Sequence, residues 1–300
     1  MIRAHDAGLP LIEAAPAKIN LTLAVKGRRA DGYHELESLV VFAGADASDT
    51  VELAEGASFH LEILGPGAAL LADEGSNLVA RAVTAVMRAA PQAATGTFRL
   101  HKHLPVAAGI GGGSADAAAA LRLLRRANPD LAASIDWPRV AATIGADVRV
   151  CLECRVSAMW GIGEHVVPLP QLPPVWAVMA NPGVPLSTAD VFRALSAPPL
   201  PVAWDASAAP RIPHFGALAD LIGFVQATAN DLEAPALALC PAVAELKTLL
   251  AGLDGALLSR MSGSGPTCFA LFATAEAAAE GARWLASHRP SWWVRATPLH

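Results

Sequence analysis

The chain has 300 residues, a formal charge of −5, 53% hydrophobic residues, four cysteines and a single tyrosine, Tyr33. That length suits one large or two medium domains. The acidic balance, with no basic stripe, excludes the usual electrostatic footprint of a nucleic-acid binder. No apolar run reaches the ~20 residues that a membrane span needs, and the cysteines are too few and scattered for a disulfide framework.

The N-terminal segment, interrupted by Asp6 and Glu13, has no signal-peptide core, so the cytoplasm is the expected compartment. Residues 17–25 (AKINLTLAV) alternate as a strand, 28–32 (RRADG) carry turn signals, and 36–42 read as a second strand. Residues 49–53 and 58–64 read as a strand pair. Residues 77–90 have helical periodicity, with Leu78, Ala82, Val86 and Ala89 on one face. Residues 97–104 alternate as a strand and run into a glycine loop. A helix over 114–127 follows, with Ser114 as its expected N-cap. Its Arg122, Arg125 and Arg126 read as a solvated face. A short helix at 136–144 leads through Gly145–Asp147 into an expected strand at 148–156, which contains Cys151 and Cys154 as structural thiols. A turn at 161–164 joins two short strands, 175–181 is an apolar strand, and 188–195 is a helix. Residues 196–213, rich in proline and alanine, read as irregular. Helices at 220–232 and 241–251, strands at 256–262 and 267–272 around a Ser-Gly-Ser-Gly-Pro turn, a helix at 274–287 and a strand at 293–298 complete the chain. Strands come first and alternating elements later, which favours α+β over a doubly wound parallel sheet.

The strongest local signal is residues 105–118 (PVAAGIGGGSADAA), with glycine at 109, 111, 112 and 113 just before a helix. Glycine allows left-handed backbone and close approach to a ligand. Consecutive amide N–H groups and the helix start then suit phosphate. The loop is not a Walker A motif, because no Gly-Lys-Ser/Thr follows. It is not a dinucleotide fingerprint either, because Ser114 stands where that motif needs glycine. Three weaker features accompany it: residues 262–266 (SGSGP) between apolar strands, Asp147 after a predicted helix, and Lys18 within an apolar strand. Taken alone, the first reads as a hairpin turn, the second as a helix cap and the third as a snorkelling lysine.

Together, and in this order, residues 15–21 (APAKINL), 30–34 (ADGYH), the glycine loop, 145–148 (GADV) and 261–267 (MSGSGPT) resemble the GHMP kinases. The resemblance implies a two-domain α+β fold. Residues 1–165 would form a catalytic domain with a left-handed β-α-β crossover, against the usual right-handed rule. Residues 166–300 would form a ferredoxin-like substrate domain, and the active site would lie between them. It implies ATP as phosphoryl donor, Mg²⁺ arriving with it, and an alcohol acceptor on a cytidine diphosphate-linked polyol. No nucleic-acid or membrane partner is expected, and the chain would be a monomer or weak homodimer.

The resemblance also implies site roles. Asp147 would accept or hold the proton of the attacking hydroxyl, and Lys18 would offset charge beside it. Pro105, Ala107, Ala108, Gly109, Ile110, Gly111, Gly112, Gly113 and Ser114 would cradle the phosphates. Asn77 and Lys102 would lie near adenine and ribose. Asn20 would position the alcohol substrate beside Asp147. Gly263, Ser264 and Gly265 would close the pocket, and Thr188 would meet the cytidine end. Tyr33 and Phe192 would sandwich the pyrimidine while His34 reads its edge. Arg149 stands where the family commonly has proline. Homoserine, mevalonate or a sugar remains open as the acceptor, as does a fold kept only for binding. Tyr33, His34 and Phe192 speak against the first group, and the presence of both Lys18 and Asp147 against the second.

Overall fold

A computed structural model of the chain describes residues 10–71, 77–200, 205 and 207–300. Asp6, and residues 201–204 and 206 of the proline-rich stretch, lie outside the described residues. The described residues form two compact units that interleave along the chain. One holds residues up to Ala15 together with Asp49–Leu104 and Gly113–Leu152. The other holds Pro16–Ser48, Pro105–Gly112 and the residues from Glu153 onward. This partition differs from a single cut at 165/166, because strand pairing links distant segments. The Lys18–Asn20 strand pairs with His34–Phe42, which in turn pairs with Ser157–Gly161.

Among the described residues, the first unit has a four-stranded sheet in the order Leu11–Pro16, Ser48–Gly56, Thr95–His101, His60–Leu64. The expected pairing of 49–53 with 58–64 is therefore corrected, since Thr95–His101 lies between them. That strand is antiparallel to Ser48–Gly56 and parallel to His60–Leu64. A parallel pair needs a long crossover, and the helix Leu78–Ala89 lies within it. Asn77 caps that helix by accepting from Val79 N at 2.8 Å. Its buried face is Val79, Ala82, Val83 and Val86, so the expected face is rotated, with Leu78 half-buried and Ala89 exposed.

Two elements that frame the expected site differ from their sequence reading. The helix after the glycine loop is Gly112–Ala127, which puts Ser114 inside its first turn and not at the cap. Gly112 and Gly113 have taken up helical backbone, whereas Gly109 and Gly111 have φ of +72° and +63°. The expected strand at 148–156 is instead a helix, Ala146–Glu153. Val148 and Cys151, one turn apart, share its buried side. A short apolar run with two valines does not distinguish strand from buried helix by periodicity.

The arginine face is also corrected in part. Arg122 donates to Ala14 O at 2.7 Å and Cys151 O at 2.9 Å and pairs with Glu13 at 3.1 Å. Arg126 joins the same Glu13 at 2.7 Å, while Arg125 is exposed.

In the second unit, the sheet around His34–Phe42 is wholly antiparallel. The expected single strand at 17–25 is two pieces, Lys18–Asn20 and Ala24–Arg28, both paired with His34–Phe42. The other sheet has the order Leu258–Met261, Cys268–Phe272, Trp176–Asn181, Trp293–Pro298, again antiparallel. Helices Pro241–Ala251 and Ala275–His288 pack on it. Taking these four strands and two helices in chain order gives β-α-β-β-α-β, the ferredoxin-like arrangement. The predicted helix at 220–232 is shorter, Leu218–Ala227, and a separate helix, Glu233–Leu239, follows it. The four cysteines are thiols. Among the described residues no helix is long and apolar enough to cross a membrane.

Candidate functional site

In the second unit the glycine loop is threaded between two other segments. Lys18 N donates to Ile110 O at 2.8 Å, and Thr267 N donates to Ala108 O at 3.3 Å. The loop backbone is left-handed at alternate residues: Ala107 at +53°, Gly109 at +72° and Gly111 at +63°. A non-glycine residue in that region costs roughly 1–2 kcal/mol. Ala107 is exposed, so core packing does not supply the compensation. Such stored strain is common at ligand clamps. Ala108 and Ile110 are buried and anchor the loop from below.

Lys18 is 4% exposed, so the snorkelling alternative is excluded. A Cβ on Gly111 would stand 3.2 Å from Lys18 Cβ and 3.3 Å from its Cε. The lysine stem therefore lies along the glycine loop, and a side chain at position 111 would press on it.

The Ser262–Pro266 turn approaches the loop equally closely. A Cβ on Gly109 would lie 2.4 Å from Gly265 O, and one on Gly263 would lie 2.8 Å from Gly109 O. Ser262 Oγ donates to Gly109 O at 3.2 Å and accepts from Asn20 N at 3.2 Å. The Asn20 amide is buried and donates to Ser38 Oγ at 2.7 Å. Asn230, from a different part of the chain, donates to both Met261 O and Gly263 O, at 2.9 Å and 2.8 Å. Ser38 and Asn230 are not singled out in the sequence, and Ser262 only as part of its turn motif, because no local pattern marks an amide or hydroxyl whose partner is distant in sequence. Gly109→Ala is expected to fail on two counts, positive φ and backbone overlap. Thermal melting should show a loss of about 1–3 kcal/mol, and initial rates should show a raised KM for ATP.

Ser264 and Thr188 meet through their hydroxyl oxygens at 2.8 Å. One turn further along the Thr188–Leu195 helix, Phe192 stacks on His34, with ring centroids 4.7 Å apart at 27°. The helix thus joins the glycine-rich turn to the aromatic pair. The ring facing Phe192 is His34, and Tyr33, expected there, is 60% exposed. Arg28 stands opposite His34 in the antiparallel register. Burial first, then the Arg28 charge, hold the imidazole below its ordinary value of 6.5. Arg28 also lines an open groove of about 630 Å³ with Arg29, Ala30, Gly32, Pro199 and Leu200. It was not read from the sequence, because only strand pairing puts it across from His34.

Of the other expected residues, Pro105 belongs to the second unit and the rest to the first. Asn77 uses its side-chain oxygen as a helix cap. Gly113 is exposed and Ser114 half-buried in the first turn of the loop helix, while Pro105, before the loop glycines, is half-buried. Asp147 is half-buried in the first turn of Ala146–Glu153, followed by Arg149 on the same helix. Lys102 is buried, with its ammonium 2.5 Å from Asp49 Oδ2 and 2.7 Å from Asp116 Oδ2. Among the described residues no group of three or more His, Cys, Asp or Glu side chains could hold a metal ion.

Known proteins resemble this chain along nearly its whole length. The family profile "GHMP kinases N terminal domain" matches residues 77–153, and "GHMP kinases C terminal" matches residues 206–288. A 4-diphosphocytidyl-2-C-methyl-D-erythritol kinase of Rhodopseudomonas palustris is 51% identical, over 97% of this chain and 98% of that one. The enzyme of the same name from Parvibaculum lavamentivorans is 49% identical, over 95% and 97%. Among solved structures, a 4-(cytidine 5'-diphospho)-2C-methyl-D-erythritol kinase superposes with a TM-score of 0.74 at 33% identity, over 96% of this chain and 99% of that one. A homoserine kinase from Cytophaga hutchinsonii shares the fold, with a TM-score of 0.70 at 18% identity over 99% and 97% of the two chains.

Proposed function

The chain belongs to the GHMP kinases, and on that premise we propose that it transfers the γ-phosphoryl group of ATP to the 2-hydroxyl of 4-diphosphocytidyl-2-C-methyl-D-erythritol, giving the 2-phosphate and ADP. The observation that carries the reading is identity of about half the residues over nearly the full length with enzymes of that name. The reaction belongs to the methylerythritol phosphate route of isoprenoid biosynthesis.

Phosphoryl transfer asks a protein mainly for positioning and charge stabilisation. The loop amides from Gly109 to Gly113 and the start of the Gly112–Ala127 helix receive the phosphates. Lys18 places a cation along that loop, and Asp147 orients the acceptor hydroxyl and takes its proton. Mg²⁺ arrives as part of the MgATP substrate, held by phosphate oxygens. Asn20 positions the acceptor, Ser264 helps close the pocket, and Thr188 meets the cytidine end. His34, Phe192 and Tyr33 receive the cytosine, and base–aromatic stacking of about 1–3 kcal/mol supports discrimination for a cytidine-tagged alcohol.

We assign residues 1–165 to the catalytic domain and 166–300 to the substrate domain, a division supported by the two family segments falling on opposite sides of it. The enzyme acts in the cytoplasm as a monomer or weak homodimer, without nucleic-acid or membrane partners.

ADP release from MgATP with the cytidine-linked alcohol, beside homoserine and mevalonate, tests the reading. Turnover with the cytidine substrate alone supports it. Turnover only with another alcohol keeps the kinase and discards the cytosine site. Silence with all three, from folded protein that binds ATP, favours a binding-only fold.

The His34 site adds a pH prediction. Its folded pKa lies below 6.5, so the native state binds fewer protons than the unfolded chain just below that value. Its effect on stability is therefore nil at pH 7 and becomes destabilising as pH falls through 6.5. The KM for the cytidine substrate should stay flat above pH 7 and rise in acid. In His34→Gln that acid limb should vanish.

A further inference from the structure

Lys102, Asp49 and Asp116 form a buried cluster in the first unit, each no more than 2% exposed. Its placement along the chain is specific. The Thr95–His101 strand passes through Lys102, His103 and Leu104 into the glycine loop. The loop then leads into the Gly112–Ala127 helix, which carries Asp116.

Asp49 Oδ1 accepts the backbone N–H of His103 at 2.6 Å and of Leu104 at 2.8 Å, so it holds the chain just before the loop. Its Oδ2 accepts from Lys102 Nζ at 2.5 Å. The same ammonium donates to Asp116 Oδ2 at 2.7 Å, on the first turns of the helix after the loop. Lys102 is itself fixed by backbone, with its N donating to Leu64 O at 2.8 Å and its O accepting from Gly67 N at 3.3 Å. A Cβ on Gly67 would meet Lys102 Cγ at 2.6 Å, so the stem runs in a slot that glycine leaves open.

We propose that this cluster is a clamp on the phosphate loop, and that Asp49, Lys102 and Asp116 are positioning residues for ATP. This role differs from the direct adenine or ribose contact expected for Lys102 from the sequence. The ammonium is enclosed by two carboxylates and shielded from solvent. The residues between the fixed ends include four glycines, Gly109, Gly111, Gly112 and Gly113, which lose more backbone freedom on ordering than other residues do. Tying down both ends narrows what the loop must search before its amides meet phosphate. Misplacement of such donors by about 1 Å costs on the order of 10²-fold in rate.

Asp116 is the most informative member. Among the described residues its Oδ1 has no hydrogen-bond partner. Burial pushes this carboxyl up to about 8, against the opposing pull of Lys102. An amide is therefore a fair replacement, because asparagine still offers an oxygen to Lys102.

The inference rests on the ATP-dependent reading above, so the test separates the two. Asp116→Ala is expected to raise the KM for ATP about tenfold while leaving the KM for the alcohol substrate unchanged, at temperatures where melting shows the protein folded. Asp116→Asn should restore most of the ATP KM. If Asp116→Ala does not fold, Lys102→Met combined with Asp116→Leu removes both charges and leaves Asp49 its two backbone donors, with the same ATP defect expected. Calorimetric binding of ADP and of adenosine to Lys102→Met then distinguishes the two roles for Lys102. A clamp predicts weaker ADP with unchanged adenosine, whereas a direct base or ribose contact predicts that both weaken. The clamp is overturned if folded Asp116→Ala, or the folded double variant, keeps its ATP KM, or if adenosine weakens in parallel with ADP. Failure of the wild type to bind ADP would instead overturn the kinase reading.

Discussion

Asp147→Asn is expected to reduce kcat by roughly 10²–10⁴-fold, the range for loss of a positioned general base, while ATP binds as before. Asp147 occupies the first turn of the Ala146–Glu153 helix, whose start is tied by Val148 N donating to Gly145 O at 3.1 Å. Asparagine keeps the length and hydrogen-bonding shape of the side chain but cannot take up the proton of the attacking hydroxyl. The defect should therefore fall on kcat and not on nucleotide affinity, and single-turnover rates beside calorimetric ATP binding would separate the two. A tertiary alcohol is weakly acidic, and in a loose transition state its proton leaves late. A fall nearer the lower end of that range would mean that Asp147 mainly orients the hydroxyl. Unchanged turnover would remove it from the mechanism. Arg149, the departure from the family pattern, lies two residues on, and its truncation in the same assay would report whether its charge tunes the rate.

Lys18→Met should lower kcat by about 10²–10³-fold, the scale seen when one donor to developing charge is removed. Methionine follows nearly the same path as the lysine stem, so the 4%-exposed slot stays filled while the ammonium is lost. Lys18→Arg is the more telling variant. The stem passes a position where a Cβ on Gly111 would already stand 3.3 Å from Lys18 Cε, so the wider guanidinium has no room without moving the loop. Little rescue by arginine is expected, although it preserves the charge. Full rescue would mean that a cation anywhere near the loop suffices and that the narrow passage beside Gly111 is incidental. Melting curves on both variants check that the fold persists.

Much of this was legible in the sequence for a simple reason. The glycines at 109, 111, 263 and 265 sit where left-handed backbone or contact between backbones disfavours a side chain. Steric exclusion of that kind leaves a mark at the position itself. Alternation and helical periodicity likewise report a local rule, which is why most strands and helices lie close to their predicted places. The α+β class followed from the order of such elements, and the ferredoxin-like half from the family resemblance. The failures have the opposite character. Val148–Val150 satisfies both a strand and a buried helix, and burial of Val148 with Cys151 decides for the helix. Strands 49–53 and 58–64 looked adjacent because they are sequential, yet Thr95–His101 lies between them.

What the sequence by itself determined, then, was the glycine loop, the kinase class and the identity of Lys18 and Asp147 as candidates, because glycine spacing and motif order are properties of the chain alone. The tertiary structure decided which partner each polar group meets. It put Phe192 on His34 and left Tyr33 exposed, placed Arg28 across from that imidazole, and enclosed Lys102 between two carboxylates 53 and 14 residues away. Hydrogen bonds and ion pairs are short-ranged in space but carry no preference for separation along the chain. Only the folded sheet and its crossovers can bring such groups within reach.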